Sequence, residues 1–280
     1  MRAAPHDTRP AATQAFDRLA VNYDGLTNGE IFHLLRQRTH RAFARHLDKD
    51  ARVLEIGCGT GLDTRYLAAR CRHVVACDPS EEMATRAMRR LAHDGLEKRA
   101  TVMPCGLQDV QSFLDALAPY EPFDGIVSNF GALNCVRHLS PLGAVVRRHL
   151  RAGGTVLLGV MTRVCAVEAL YFTATRRPRL AARRLGPGAV QVPVAGIDVP
   201  TFYHRISEVR AALGNEVRLR ALEGIGVVVP PPYLEPRWQG LPRSVRGAVA
   251  AIDGWLAPWP PFNRVGDHVL LWFTKDGAHA

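Results

Sequence analysis

The stretch VLEIGCGTGLDTRYLA, Val53 to Ala68, decides how the rest of the chain is read. Val53, Leu54 and Ile56 form an apolar run with β-branched residues, the pattern of a buried strand. From Leu62 the spacing turns helical. The turn between them holds Gly57, Gly59 and Gly61, so a ligand can come close to backbone there. A dinucleotide loop reads G-x-G-x-x-G. Here the third glycine comes one place early, and Leu62 stands where the dinucleotide glycine would be. Glu55 lies two residues before the first glycine. A carboxylate at that strand end repels a pyrophosphate and accepts a ligand that carries an ammonium group.

Outward from this stretch, strands and helices alternate at short intervals. ARVLEIG, RHVVACD, ATVMPCG, a segment within FDGIVSNFGAL, and TVLLGVMT read as strands one to five. GLDTRYLAARC, PSEEMATRAMRRLAHD and SPLGAVVRRHL read as the helices between them, with RAGG as the turn before strand five. The strands are apolar throughout, which argues for a parallel sheet covered on both faces. EVRLRALEGIGVVVP and DHVLLWFTK add two strands after the helix SEVRAALG, and RSVRGAVAAIDGWLA is a further helix. The expected fold is α/β, a seven-stranded, mostly parallel, doubly wound Rossmann-like sheet with N-terminal helices and an insertion after strand five. The expected organisation is a disordered lead-in over 1–14, a helical cap over 15–50, a ligand-binding core over 51–162, a covering insertion over 163–204, and the remainder of the core sheet over 205–280. Within the insertion, RVCAVEALYFTATRRPRLAARRL reads as one helix and GPGAVQVPVAGIDVPTFYHR as turns with short extended pieces.

Asp78 ends the second strand, seventeen residues beyond Gly61. An acid there can accept both hydroxyls of a ribose. With Glu55 this gives one acid for a sugar diol, one for an amino group, and no cradle for a pyrophosphate; S-adenosylmethionine fits all three. The chain also resembles the class I S-adenosylmethionine-dependent methyltransferases. VLEIGCGTGLDTRYLA is similar to that family's first motif, VVACDPSEEM to its second, FDGIVSNFGALNCV to its fourth, and LRAGGTVLLGVM to the turn and strand that follow; FDRLAVNYD resembles the lead-in of many small-molecule members. The resemblance implies the following roles. Backbone at Gly57, Cys58 and Gly59 meets the methionine part of the cofactor, and Glu55 holds its amino group. Asp78 binds the ribose, Pro79 and Met83 flank the adenine, and Asn129 offers its carbonyl to the amino group. Tyr23 and Arg36 close the site and hold the carboxylate. Relatives often carry Gly-Asp-Ala after strand three, whereas this chain has PCGLQD. Gly106 and Leu107 retain backbone contacts there, while the acid is missing or displaced to Asp109.

For the chemistry itself, four residues stand as candidate bases: Glu168, His204, His138 and Tyr203. Glu168 is the only acid between Gly125 and Ile197, a segment dense in arginine. It is either a base near the strand ends or an ion-pair partner for Arg163 or an arginine farther along its helix. Tyr171, Phe172, Phe202, Tyr203, Tyr233 and Trp238 are candidate walls of an acceptor pocket, and Arg176, Arg177 and Arg179 a candidate site for a phosphate or carboxylate.

The chain has 280 residues and a formal net charge of +10, a field that attracts nucleic acid, anionic membrane or an acidic metabolite. No separate RNA-binding module and no Asn-Pro-Pro-Tyr type motif stands after strand four, so no stable nucleic-acid partner is expected. The six cysteines form no Cys-x-x-Cys pair, which argues against a zinc site or a disulfide framework and for a reducing, cytoplasmic setting. No metal ligand set is expected. No apolar run is long enough to span a bilayer, which leaves peripheral membrane contact open. The favoured function is methyl transfer from S-adenosylmethionine to a small, partly apolar acceptor, with an anionic group on it left open. An RNA methyltransferase, a non-catalytic binding protein of the same fold and a nicotinamide enzyme are the alternatives. The acceptor atom and the oligomeric state are left open.

Overall fold

A computed structural model describes residues 9–116 and 121–277. Two helices, α1 (Ala11–Leu26) and α2 (Glu30–His46), precede the sheet. The core then runs β1 (Arg52–Ile56), α3 (Leu62–Arg70), β2 (His73–Cys77), α4 (Glu81–His93), β3 (Ala100–Met103), α5 (Val110–Ala116), β4 (Phe123–Ser128), α6 (Ser140–His149) and β5 (Leu150–Met161). An insertion of α7 (Ala166–Ala174), α8 (Pro178–Ala181) and the hairpin β6 (Ala189–Val194) and β7 (Ile197–Phe202) follows. The chain closes with α9 (Ile206–Leu213), β8 (Val217–Ile225), α10 (Glu235–Gln239), α11 (Arg243–Leu256) and β9 (His268–Lys275).

The main sheet has seven strands in the order β3-β2-β1-β4-β5-β9-β8. Pairings among β1 to β5 are parallel, and β9 runs antiparallel to both β5 and β8. The expected doubly wound sheet is therefore the observed one. Strand residues alternate between two cores, which is why the strands are apolar end to end. Leu54, Ile56, Val75 and Ile126 pack with Leu114 of α5, Val145 and Val146 of α6, and Val209 and Leu213 of α9. Val53, Val74, Ala76 and Val127 pack with Leu35 and Phe43 of α2, Leu67 of α3, and Ala87 and Leu91 of α4.

Three local expectations change. The expected lead-in over 1–14 falls partly outside the described residues, but α1 begins at Ala11. Alanines carry the strongest intrinsic helix preference, and Pro10 precedes them as a tolerated start. RAGG is not a turn: Leu150 already pairs with Phe123, and pairing resumes at Thr155 after a bulge in which Gly153 adopts φ 71°. The single helix expected from 163 onward breaks after Ala174. Arg176 takes a left-handed conformation at φ 58°, and Pro178 restrains the residue before it.

The chain leaves β1 outward to β2 and β3, then returns to place β4 on the other side of β1. That reversal opens a crevice at the carboxyl ends of β1 and β4, where the glycine turn lies.

Candidate functional site

A cavity of about 200 Å³ occupies this crevice. It takes Ile56 to Thr60 and Leu62 from the glycine turn, Asp78 to Ser80 from the end of β2, Cys105 to Gln108 from the loop after β3, and Asn129 to Leu133 with Cys135 and Val136 from the loop after β4. Helix α1 covers it with Ala12, Thr13, Phe16 and Tyr23, and α2 adds Arg36. The cavity thus brings together Tyr23, Arg36, Gly57, Cys58, Gly59, Asp78, Pro79, Met83, Gly106, Leu107 and Asn129, all singled out from sequence.

The glycines differ in what they permit. A Cβ on Gly57 would lie 2.2 Å from the Ala132 side chain, so Gly57 lets the loop after β4 close against the turn. A Cβ on Gly59 would meet nothing within 4 Å, and φ is +55°. Gly59 therefore shows bare backbone to open space on the cavity side.

Asp78 is set by that turn. Its Oδ2 accepts the Gly59 N–H at 2.8 Å, and its Oδ1 accepts the Ser80 N–H at 2.9 Å. Burial raises its pKa to about 6, although the two N–H groups pull it down. An ionised carboxylate offers about four acceptor positions. Two remain for a pair of hydroxyls.

Glu55 sits one layer behind the cavity lining, 3% exposed, and its Oε2 has no hydrogen-bond partner. Burial, then the charge of Asp63, raises its pKa to about 8. An orphaned acid under the glycine turn is what a ligand carrying an ammonium group would relieve, directly or through a water.

Asp63 is the central residue that the sequence did not single out. Its Oδ1 accepts from Arg36 at 2.6 Å and lies 2.7 Å from His40 Nε2, while its Oδ2 accepts the Asn129 side-chain amide at 2.8 Å. Burial alone would raise its pKa, but the Arg36 charge and the His40 hydrogen bond hold it at about 2. Arg36 also lies 4.4 Å from the centre of the Phe130 ring. The guanidinium is thus fixed from two sides at the cavity edge. Tyr23, above it, keeps its proton, because burial raises its pKa to about 12.

Helix α1 is fastened over the cavity by polar pins. Ser80 Oγ donates to Asp17 at 2.6 Å, Thr60 Oγ1 donates to Asp24 at 2.6 Å, and Arg90 pairs with Asp24.

The four residues expected to act as bases lie elsewhere. Glu168 is 1% exposed and does not line the cavity. It accepts from Arg183 Nη2 at 2.8 Å, Arg184 Nη2 at 2.8 Å and the Tyr233 hydroxyl at 2.9 Å. Arg184 continues to Asp267 at 2.7 Å, tying the insertion to the start of β9. Burial would raise the Glu168 pKa, but its arginine hydrogen bonds hold it below the ordinary value. That is the ion-pair alternative, with arginines farther along the chain rather than Arg163. Tyr203 is buried with the Arg184 guanidinium 5.2 Å from its ring centre. His204 Nε2 lies 2.9 Å from the Val136 carbonyl, so that nitrogen carries a proton and donates. His138 is exposed.

The aromatic walls also sit differently. Phe172 stacks with Tyr233 and touches Tyr171 edge-on, while Trp238 is buried in the core beneath α2. The apolar lining of the cavity comes instead from Phe16, Leu62, Met83, Phe130, Leu133 and Val136. Arg176, Arg177 and Arg179 are exposed at the α7–α8 corner. A different set of arginines surrounds a second cavity behind the loop after β4. Arg163, Arg205, Arg210 and Arg264 line it with Ser207 and His204 over a floor of Ile206, Leu219, Leu222 and Val269. His204 stands between the two cavities, lining the second while donating to backbone of the first. Among the described residues, no group of three or more histidine, cysteine or acidic side chains is placed to hold a metal ion, and no helix is long and apolar enough to cross a membrane.

Residues 53–154 match the family model described as a methyltransferase domain. A tRNA 5-carboxymethoxyuridine methyltransferase of Escherichia coli K12 is 30% identical over 100 residues, which is 35% of this chain and 38% of the relative. A demethylmenaquinone methyltransferase of Parafrankia sp. is 40% identical over 95 residues, 33% of this chain and 37% of the relative. The chain thus spans well under half the length of these two relatives. Among solved structures, an S-adenosylmethionine-dependent methyltransferase from Listeria monocytogenes superposes with a TM-score of 0.58 at 18% identity, over 86% of this chain and 98% of the other.

Proposed function

We propose, for a chain that belongs to the class I S-adenosylmethionine-dependent methyltransferases, that methyl transfer goes to a small, partly apolar acceptor bearing an anionic group. The observation that carries the donor assignment is the first cavity itself. One crevice combines bare backbone at Gly59 with a ribose-competent Asp78, and behind its lining lies Glu55 with an unpartnered carboxyl oxygen.

When bound, S-adenosylmethionine supplies an activated methyl group together with its own leaving group. The residues of this chain bind and orient. Asp78 takes the ribose hydroxyls, and Pro79, Met83 and Leu107 flank the adenine. Arg36, held by Asp63, takes the carboxylate. The Asn129 carbonyl and Glu55 serve the ammonium. Phe16 and Tyr23 of α1 exclude water from above. The carboxylates lining the cavity, Asp63 and Asp78, are both committed to N–H donors, and Tyr23 keeps its proton. The protein therefore works by alignment, which is worth roughly 7–11 kcal/mol in well-oriented systems. Such a site suits an acceptor whose nucleophilic atom arrives with a free lone pair, because it needs no base.

The arginine-lined second cavity supports the anionic group on the acceptor. Arg205, Arg210 and Arg264 line it without a carboxylate partner among the described residues, over an apolar floor. The names of the relatives span a tRNA base and a quinone, so RNA is the second reading, favoured by the charge of +10.

Calorimetry should show S-adenosylmethionine binding and no NAD binding, with Asp78→Asn weakening the former by about tenfold or more. Preference for NAD would overturn the donor assignment. A panel of small anionic and neutral acceptors and of total tRNA, assayed with labelled methyl donor, then separates the two acceptor classes. Labelling of tRNA alone would sink the small-acceptor reading.

A further inference from the structure

Helix α11 is turned inside out. Its buried residues are Arg246 and Asp253. Arg246 pairs with Glu30 of α2 and donates to Gln239 Oε1 at 2.9 Å, and Asp253 accepts from the Val228 and Val229 N–H groups while meeting Arg38 at 3.3 Å. Val249 and Ala250 pack against the core, but several large apolar side chains face outward. Val245 is 42% exposed, Ile252 49% and Trp255 71%, and the line continues through Leu241 at 41% before the helix and Trp259 at 59% after it. Within the helix, positions 245, 252 and 255 fall on one stripe at seven- and three-residue steps.

Together these five side chains open on the order of 500 Å² of apolar surface, the upper range for a soluble monomer. That is short of the roughly 800 Å² per partner that a specific, stable protein interface takes. Two tryptophans at the crest are suited to a boundary between an apolar layer and water, where the ring is buried and the indole N–H stays wet. The charges around the stripe are positive. Arg243 begins the helix, and Arg41 of α2 lines a shallow cavity with Ala250 and Ala251 of α11; both arginines are exposed and have no carboxylate partner among the described residues. The carboxylates touching this helix, Glu30 and Asp253, are already engaged. Exposed aromatic and aliphatic side chains flanked by arginine on a protein of net charge +10 complement an anionic lipid surface.

We propose that the outer face of α11 docks reversibly on anionic phospholipid membrane, with Trp255 and Trp259 seated at headgroup depth. The docking is peripheral and independent of the identity of the methyl acceptor.

The test uses the full chain and two kinds of vesicle, phosphatidylcholine alone and phosphatidylcholine mixed with phosphatidylglycerol. Co-sedimentation should favour the anionic vesicles and weaken with salt. Tryptophan emission should shift to the blue and be quenched by lipids labelled in the headgroup region. Trp255→Ser with Trp259→Ser should lower partitioning by about tenfold or more, while Arg41→Gln with Arg243→Gln should remove the preference for anionic lipid. S-adenosylmethionine binding should be unchanged in both variants, which shows that they are folded and separates this proposal from the donor assignment. Equal partitioning of the tryptophan variant and the wild type would overturn it. So would absence of binding to anionic vesicles at low salt, including the case in which sedimentation shows a dimer that the tryptophan variant loses.

Discussion

Replacing Asp63 by Asn removes one negative charge from the point where α2, α3 and the loop after β4 meet, and keeps the shape. Asp63 is 5% exposed, so solvent screens its contacts little. Its pKa is held at about 2 against an ordinary 3.8. At about 1.4 kcal/mol per pKa unit, that depression stabilises the folded state by about 2–3 kcal/mol at neutral pH. Asn keeps a carbonyl oxygen toward Arg36 and His40 only by turning its amide N–H toward the Asn129 amide, so a loss of about 3 kcal/mol is expected. Relief of Glu55, whose pKa the Asp63 charge helps to raise, offsets a part of it. Because the folded pKa is depressed, the contribution is complete above pH 3.8 and fades as pH falls through about 2. The gap between wild type and variant should therefore be flat from neutral pH to mild acid and shrink to about half near pH 3. Urea unfolding followed by far-ultraviolet circular dichroism at stepped pH measures it. Arg36 loses its tether at the same time, so donor affinity should fall by about tenfold. A variant within about 0.5 kcal/mol of wild type at neutral pH would refute the reasoning, as would a gap that persists unchanged down to the acid limit.

Glu55, with its pKa raised to about 8, is protonated in the free protein at neutral pH. If a bound ammonium ionises it, roughly 0.9 proton is released per donor bound at pH 7, fading above pH 8. Calorimetry in buffers of different ionisation enthalpy reads this, and Glu55→Gln should abolish it; no release from the wild type would mean that Glu55 stays neutral. Asp78 accepts hydroxyls best when ionised, so donor affinity should drop as pH falls through its pKa of about 6, and Asp78→Asn should flatten that profile. Glu168→Gln should cost about 3 kcal/mol of stability by leaving Arg183 without its carboxylate and Arg184 with Asp267 alone, and leave the pH profile of turnover unmoved. Loss of turnover at unchanged melting temperature would return Glu168 to the chemistry.

The donor side of the site was legible because its requirements are local. Gly57 and Gly59 both take positive φ within three positions, Gly57 also has no room for a Cβ, and Glu55 and Asp78 stand at the ends of neighbouring strands. Asp63 escaped because an acid in the first turn of a helix has an ordinary explanation in the helix dipole. Its partners stand on α2, well before it in sequence. The available signal was the spacing of Arg36 and His40, one helical turn apart, which puts two cations on one face of α2. The arginine-lined cavity was illegible for a related reason. Arg163 follows β5, Arg205 and Arg210 belong to the start and body of α9, and Arg264 precedes β9, and only the packing of α9 beside β8 and β9 brings them to one opening. The aromatic residues of the insertion misled because burial against one another satisfies them as well as a pocket would, as the stacking of Phe172 on Tyr233 shows.

Helix α1, which covers the crevice, and the insertion, whose hairpin packs against α1, are fastened by different physics. The insertion is tied down by Glu168, Arg184 and Asp267, all at most 5% exposed, and breaking a buried pair strands its partner at a cost of about 3–5 kcal/mol. Helix α1 is held by Asp17 on Ser80 and by Asp24 on Thr60 and Arg90, and the Asp24 side chain is 47% exposed. Water replaces such partners readily, and an exposed pair contributes about 0–1 kcal/mol. Any displacement of α1 would withdraw Phe16 and Tyr23 from the cavity in the same movement. Phe16 and Tyr23 line the cavity together with Arg36, so one helix bears both on exclusion of water and on the proposed carboxylate end of the site.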